Sequence, residues 1–338
     1  MTLPRDIEML DHAFVLAEHG RGRTCPNPFV GCVIADADGT MVGEGWTQPA
    51  GGSHAEVVAL AMAGDRARGG TAWVTLEPCN HHGRTPPCSQ ALLDAGIARL
   101  VYALSDPNPV AIGGGTMLAE AGVEVVPDAA VDRARQQHEI FLHGIATGRP
   151  FVILKTATSL DGRIADHTGT SQWITGPATR ARGHELRREV DAVLVGSATA
   201  LADDPSLTVR LPGWDGPQPR RVVLDRRGRT EGADLKLFTD GLAPTTVLDS
   251  PDPGAALATL WELGVHSVLV EGGAGVAGAF VAAGLVDRYV LHLGNVLLGE
   301  GLGALSTRVA LPDAPRLRLV SAELSGDDVV LTAYPRTP

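Results

Sequence analysis

Aromatic side chains make up only 4% of this 338-residue chain, and cysteine occurs four times. The cores must therefore be filled by Ala, Val and Leu, and Cys25, Cys32, Cys79 and Cys88 suit metal ligation or buried thiols better than a disulfide framework. Positive charge is in deficit: 28 Lys and Arg stand against 39 Asp and Glu, a net charge of -11. That sign argues against a broad nucleic-acid or anionic-membrane footprint. No run approaches the roughly 18 consecutive apolar residues of a bilayer span, and the opening Met1-Thr2-Leu3-Pro4 carries no apolar signal segment. A cytoplasmic protein is expected, with no nucleic-acid or membrane partner.

What is there is 44% hydrophobic and 20% charged, a globular composition, over a length at which single cores split in two. Residues 6–19 place Ile7, Leu10, Phe14 and Ala17 on one helical face ending at Gly20. Residues 29–35 and 41–46 read as strands joined by a hairpin at Asp36-Ala37-Asp38-Gly39. Helices over 54–67, capped by Ser53, then 89–95, 116–121 and 129–142 alternate with strands over 71–76, 99–104 and 123–126. This predicts a layered α/β domain with helices on both faces of the sheet. Glycine and proline in 144–150 mark a linker, so the domains are 1–147 and 148–338. The second holds buried strands over 151–157, 192–195, 221–224, 245–248 and 267–270, with helices over 177–190, 253–263 and 276–283. Its last third, with strands over 287–293, 317–324 and 328–333, predicts an antiparallel edge.

Ser53-His54-Ala55-Glu56 and Glu77-Pro78-Cys79 reproduce the H-x-E and P-C halves of the zinc deaminase signature. Zinc in such a site takes three protein ligands and one water, which becomes hydroxide near neutral pH. Glu56, two residues past His54 near a helix start, is placed to shuttle protons beside the metal. Helix N-termini at His54 and around Cys79 would favour the negative ligands. The third ligand breaks the usual C-x-x-C spacing: Asn80, His81 and His82 follow Cys79, and the next cysteine is Cys88, behind Pro86-Pro87. Cys88 is the preferred third ligand and His82 its competitor; a structural zinc or unliganded thiols are the plainer alternative. Cys25 and Cys32 have no metal spacing and read as buried thiols.

Residues 267–278 form a strand, a glycine turn and a helix start that contain G-x-G-x-x-G. A Rossmann unit would carry that motif on its first strand, with an acidic residue about 20 positions on; here it comes late. Amides at a helix N-terminus can still receive a phosphate, and close helix packing is the competing use of the glycines.

These blocks resemble the bifunctional riboflavin-biosynthesis deaminase and reductase family. In the first domain they are Pro26-Asn27-Pro28, Val30-Gly31-Cys32-Val33, His54-Ala55-Glu56, Thr75-Leu76-Glu77-Pro78-Cys79, Gly83-Arg84-Thr85-Pro86-Pro87-Cys88 and Asp106-Pro107-Asn108-Pro109. In the second they are Leu154-Lys155, Ser159-Leu160-Asp161-Gly162-Arg163, Ser171-Gln172-Trp173-Ile174-Thr175, Ser197-Ala198-Thr199, Leu201-Ala202-Asp203-Asp204-Pro205, Leu207-Thr208-Val209-Arg210 and Glu271-Gly272-Gly273. The resemblance spans almost the whole chain, and the long loop between Cys79 and Cys88 belongs to it.

The resemblance implies a cytidine-deaminase-like three-layer α/β/α domain, then a dihydrofolate-reductase-like α/β domain that binds NADPH without a Rossmann unit. It implies zinc-dependent deamination of 2,5-diamino-6-(5-phosphoribosylamino)pyrimidin-4(3H)-one, followed by NADPH reduction of the ribosyl group to give 5-amino-6-(5-phosphoribitylamino)uracil. Position by position it implies zinc on His54, Cys79 and Cys88, catalysis by Glu56, and substrate contacts at Asn27, His81, Arg84 and Asn108. NADPH would meet Ala157, Trp173, Thr199, Asp203 and the loop Gly273, Ala274, Gly275, Val276, Ala277, Gly278 and Ala279. The second substrate would meet Lys155, Ser171, Arg187, Leu207, Arg210 and Glu271. Arg84, Arg187 and Arg210 have forked donors suited to phosphate. Two positions depart from the pattern: Thr47 stands where relatives have a histidine seven residues before the zinc histidine, and Arg226 where some carry a small polar residue. The family also implies a homo-oligomer, dimer or tetramer. The rival reading is a zinc nucleotide deaminase with a noncatalytic C-terminal binding or oligomerisation module.

Overall fold

In the computed structural model, which describes residues 2–81, 86–250 and 252–336, the chain forms two units, Met1–Thr147 and Gly148–Pro338. Unit 1 opens on α1 (Pro4–Ala17), whose proline at the first turn gives up an N–H that has no helical partner anyway. It buries Leu10, Ala13, Phe14, Leu16 and Ala17. Ile7, expected on that face, is 43% exposed; Asp6 takes the inward place at 1%, because its carboxylate accepts from Leu3 N and Trp73 Nε1.

The unit's sheet comprises β1 (Gly31–Ala35), β2 (Met41–Trp46), β3 (Thr71–Val74), β4 (Arg99–Tyr102) and β5 (Glu124–Val126) in the order β2-β1-β3-β4-β5. β1 runs antiparallel to β2 and β3, and β3, β4 and β5 are parallel. The helices are α2 (Ala55–Ala63), α3 (Cys88–Asp94), α4 (Gly114–Glu120), α5 (Val131–Gln137) and α6 (Glu139–Thr147). Glycines set the layer spacing. A Cβ on Gly31 would fall 1.9 Å from Ala13 O in α1, and one on Gly43 2.2 Å from Ala59 O in α2. Gly31 pairs with Trp46 and Gly43 with Ile34, so the two glycines face opposite sides and helices cover both, as the alternation predicted. The helix expected over 129–142 is broken at buried His138 into α5 and α6. Because α6 runs to Thr147, the segment expected as linker from 144 is helical up to that residue.

Unit 2 is built on β6 (Phe151–Ser159), β7 (Arg163–Asp166), β8 (Ala192–Gly196), β9 (Arg220–Leu224), β10 (Thr245–Leu248), β11 (Ser267–Val270), β12 (Arg288–Gly294), β13 (Gly301–Gly303), β14 (Leu317–Ser325) and β15 (Asp328–Pro335). Eight of these form one sheet in the order β10-β9-β8-β11-β6-β12-β15-β14, and β7 pairs with β13 separately. The strands from β10 to β12 run parallel and β15 and β14 antiparallel, which is the expected edge. The helices are α7 (Pro177–Glu189), α8 (Ser197–Asp203), α9 (Lys236–Thr239), α10 (Pro253–Glu262) and α11 (Ala274–Ala282). The β7–β13 ribbon, α8 and α9 had no counterpart in the sequence reading. Val152, Leu154, Leu194, Val222, Val268 and Val270 form the core with Leu257, Leu260 and Phe280. No described helix is long and apolar enough to cross a membrane.

Candidate active sites

The α2–β2 seam fixes the first site. Ala55, Ala59 and Ala63 are buried along α2, facing Gly43 and Gly45, where any Cβ would strike helix backbone. This close seat holds the start of α2, with His54 rather than Ser53 in the N-cap position. Cys88 is the first residue of α3, and Cys79 lies in the loop before it. The helix terminus expected at Cys79 is thus that of α3: Cys88 N donates to Cys79 Sγ at 3.5 Å. His54 Nδ1 lies 3.6 Å from Cys79 Sγ and 3.3 Å from Cys88 Sγ, and the three ligand atoms fall within 4.8 Å of one another. Tetrahedral zinc with these donors spaces them roughly 3.5 Å apart, so the triangle fits the metal. His82 and Arg84 lie outside the described residues.

Glu56 follows in the first turn of α2 and is 4% exposed. Burial pushes its carboxyl up to about 7, with Cys79 adding to the rise. The Cys88 and His54 side chains hold the Cys79 thiol down at about 4, while Cys79 and burial push Cys88 up. Behind them stands a residue whose part the sequence did not disclose. Glu77 accepts from Asp106 N at 3.1 Å, Gly113 N at 3.2 Å and Gly115 N at 3.0 Å, pinning the 106–115 loop to the segment that carries Cys79. A Cβ on Gly114 would sit 1.9 Å from Pro78 O.

Among the proposed substrate contacts, Asn27 is half-buried in a turn closed by Thr24, and His81 Nδ1 is buried with no partner among the described residues. Asn108 Oδ1 accepts from Val110 N at 3.1 Å, so its oxygen builds the turn. Thr47 is buried, and its Oγ1 accepts from Val30 N at 3.0 Å. Cys32 is buried as expected, but Cys25 is exposed, because its turn leaves the sheet before β1 begins.

In unit 2 the C-terminal ends of the parallel strands carry a second polar cluster. Arg187 of α7 donates from Nε and Nη2 to Glu271 at 2.7 and 3.0 Å and from Nη1 to Thr208 O at 3.0 Å. Lys155 Nζ of β6 lies 4.0 Å from Glu271. Burial raises the Glu271 carboxyl, but Arg187 and Lys155 outweigh it and hold it at about 2; burial also lowers Lys155. Arg210 is exposed, with one 3.3 Å bond to Thr208 Oγ1. Leu207 is buried at φ +50, a conformation non-glycine residues seldom adopt. Ser171 faces Asp203. His184 and buried His292, both lowered by burial, adjoin the cluster and were not read from the sequence.

Gly273 caps α11 and its N donates to Thr199 Oγ1 at 3.0 Å. Gly275 and Ala279 are exposed and Val276 half-buried, whereas Ala274, Ala277 and Gly278 are buried. A Cβ on Gly278 would lie 2.8 Å from Ser306 O, so that glycine serves packing. Ala157 is half-buried on β6, Trp173 is 69% exposed with Arg180 4.6 Å over its ring, and Arg226 is exposed in the turn after β9.

Residues 4–104 match the cytidine and deoxycytidylate deaminase zinc-binding region, and residues 150–331 match the RibD C-terminal domain. Riboflavin biosynthesis protein RibD of Escherichia coli is 41% identical over 97% of this chain and 98% of that protein. The chain belongs to the RibD family. The Corynebacterium ammoniagenes RibD is 46% identical over 85% of each chain. Two solved RibD-family structures share the fold. The Thermotoga maritima diaminohydroxyphosphoribosylaminopyrimidine deaminase/5-amino-6-(5-phosphoribosylamino)uracil reductase superposes with a TM-score of 0.92 at 36% identity, over 98% of this chain and 99% of that one. The Acinetobacter baumannii RibD does so with a TM-score of 0.92 at 37% identity, over 99% and 100%. A cytidine-deaminase-like domain thus precedes a RibD reductase domain, as the RibD family requires.

Proposed function

We propose that the chain carries out two successive steps of riboflavin biosynthesis: hydrolytic deamination of 2,5-diamino-6-(5-phosphoribosylamino)pyrimidin-4(3H)-one, then reduction of its ribosyl group to ribityl. The observation that carries this is the His54–Cys79–Cys88 triangle beside buried Glu56, in one chain with the Lys155–Glu271–Arg187 cluster.

His54, Cys79 and Cys88 are the zinc ligands in this reading. Zinc, when bound, supplies the acidified water that replaces the 2-amino group. Glu56, with its carboxyl near 7, would take one proton from that water and deliver it to the ring nitrogen, then take the second from the hydroxyl added to the ring carbon and pass it to the amino group, which leaves as ammonia as its C–N bond breaks. Asn27, His81, Arg84 and Asn108 hold the pyrimidine and its ribosyl phosphate.

NADPH supplies the hydride for the second step. Its phosphates would rest on the start of α11, where exposed Gly275 leaves the backbone open to approach, and Ala157, Trp173, Thr199 and Asp203 would line its place. Arg210, with its fork largely uncommitted, receives the substrate phosphate. Arg187 serves the same site by orienting Glu271 and with it Lys155, while Ser171 and the Leu207 backbone complete the cleft. The assembled enzyme is a homo-oligomer, a reading supported by exposed apolar side chains on β14.

Incubation with the diaminopyrimidine substrate should release ammonia without NADPH, and NADPH should be oxidised only after deamination. Ammonia release with no NADPH oxidation on the aminouracil would reduce the C-terminal half to a noncatalytic module.

A further inference from the structure

We propose that His184 is a positioning residue for the substrate phosphate in the reductase cleft, one whose ring nitrogen decides whether the Arg210 N–H is open to that phosphate; this rests on the phosphate role given to Arg210 above. His184 lies on α7 three residues before Arg187 and is half-buried. Its Nδ1 sits 3.1 Å from Thr208 O and 3.3 Å from Arg210 N.

Those two neighbours make opposite demands. A carbonyl oxygen only accepts and a backbone N–H only donates, while a ring nitrogen does one or the other according to whether it carries a proton. Bare Nδ1 accepts from Arg210 N–H and leaves Thr208 O to Arg187 Nη1, which donates to it at 3.0 Å. In the doubly protonated ring, Nδ1 donates to Thr208 O and releases Arg210 N–H. The rest of the segment is held in place. The Gln218 amide brackets Val209, accepting from its N–H at 2.7 Å and donating to its carbonyl at 3.1 Å, and Leu207 is buried. Arg210 is exposed, so an anion arriving from solvent can meet its fork and, once released, its N–H.

Charge links the ring to the ligand. Burial, then Arg187 on the same helix and Arg210 on the facing segment, push His184 down to about 4, against the opposing effects of Thr208 O and of Glu271 at the end of β11. At pH 7 the free chain therefore holds a neutral ring. A phosphate dianion at Arg210 offsets the repulsion between that arginine and an imidazolium, so protonation becomes easier and delivers a second donor to the same phosphate. Binding raises the histidine pKa, and the phosphate binds more tightly as pH falls toward the raised value.

The test is ¹⁵N-histidine NMR on the full chain. Between about pH 8 and pH 5 His184 should stay neutral in the free protein and become protonated with ribose 5-phosphate or with inorganic sulfate, whose charge is fixed over that range; ribose alone should leave it unmoved. Loss of the signal in His184→Asn or His184→Gln assigns it among the 11 histidines. In reductase assays the ratio of variant to wild-type KM should rise by about 2–10-fold from pH 8 to pH 6 while the kcat ratio stays flat. Taking the ratio cancels the titration of the substrate's own phosphate, and unchanged ammonia release and melting temperature would show that the variants remain folded. A His184 signal indifferent to ribose 5-phosphate that does bind, or a KM ratio constant with pH, would defeat the switch alone. A chain that binds neither anion and oxidises no NADPH on the aminouracil would defeat the phosphate site along with it.

Discussion

Arg99 on β4 grips Asp6 of α1 from both Nη atoms, at 2.7 and 2.9 Å, across 93 residues of sequence. Burial would raise the Asp6 carboxyl, but hydrogen bonds from Arg99, Leu3 and Trp73 outweigh it and hold it at about 2 against an ordinary 3.8. A carboxyl depressed on folding stabilises the fold above its unfolded pKa and loses that contribution as pH falls through the folded one. About 2 kcal/mol should therefore disappear from unit 1 between pH 5 and pH 2. Urea melts across that window test it: Asp6→Asn should be less stable at pH 7 by about 3 kcal/mol and should flatten the acid slope, and an unchanged slope would remove the pair from the account.

Glu56→Gln keeps the shape of the side chain and removes its base. Zinc should stay at one per chain while ammonia release drops by about 10²–10⁴-fold. NADPH oxidation on the already deaminated substrate should be unaffected. Persistent ammonia release would take the proton shuttle away from Glu56.

Metal stoichiometry separates the two candidates for third ligand. Cys88→Ser should lower bound zinc well below one per chain, and His82→Ala should leave it intact. The reverse pattern would move the site onto the loop.

Two arginines in unit 2 should behave differently. Arg210→Ala should raise the reductase KM by about 10–100-fold with kcat nearly unchanged, as for a contact equal in ground and transition states. Arg187→Ala strands Glu271, and should lower kcat and cost about 3 kcal/mol of unit 2 stability. Equal KM effects with no change in stability would contradict the division of labour.

Legibility in the sequence followed the range of the forces involved. The helix after His54 and the buried strand 267–270 were readable because apolar pattern and glycine stops are local; strand 245–248 was found too, but it lies at the sheet edge with Val247 exposed and is not buried as expected. The β7–β13 ribbon was not: Gly301 and Gly303 leave its second strand without alternation, and pairing with residues 163–166 alone defines it. Ile7 was misplaced because the spacing of apolar residues cannot foresee that Asp6 would be drawn inward by Arg99 and Trp73. His54, Glu56 and Cys79 stand in two short patterns, whereas Cys88 falls outside the usual spacing. The part of Glu77 is spelled only by the backbone N–H groups it meets far along the chain, and that of Thr208 by its own carbonyl, which accepts from the Arg187 side chain.

The glycine seat beneath α2 bears on how accurately the first site can be built. Where side chains separate two layers, each rotamer is a soft joint and small errors accumulate. At Gly43 and Gly45 the sheet meets Ala59 and Ala55 backbone with no side chain between. The position of His54 and Glu56 is thereby referenced to covalent geometry, which neither warms nor repacks. In the role proposed for Glu56, a carboxyl that must stay within about half an ångström of its target would gain that accuracy from two residues with no side chain at all.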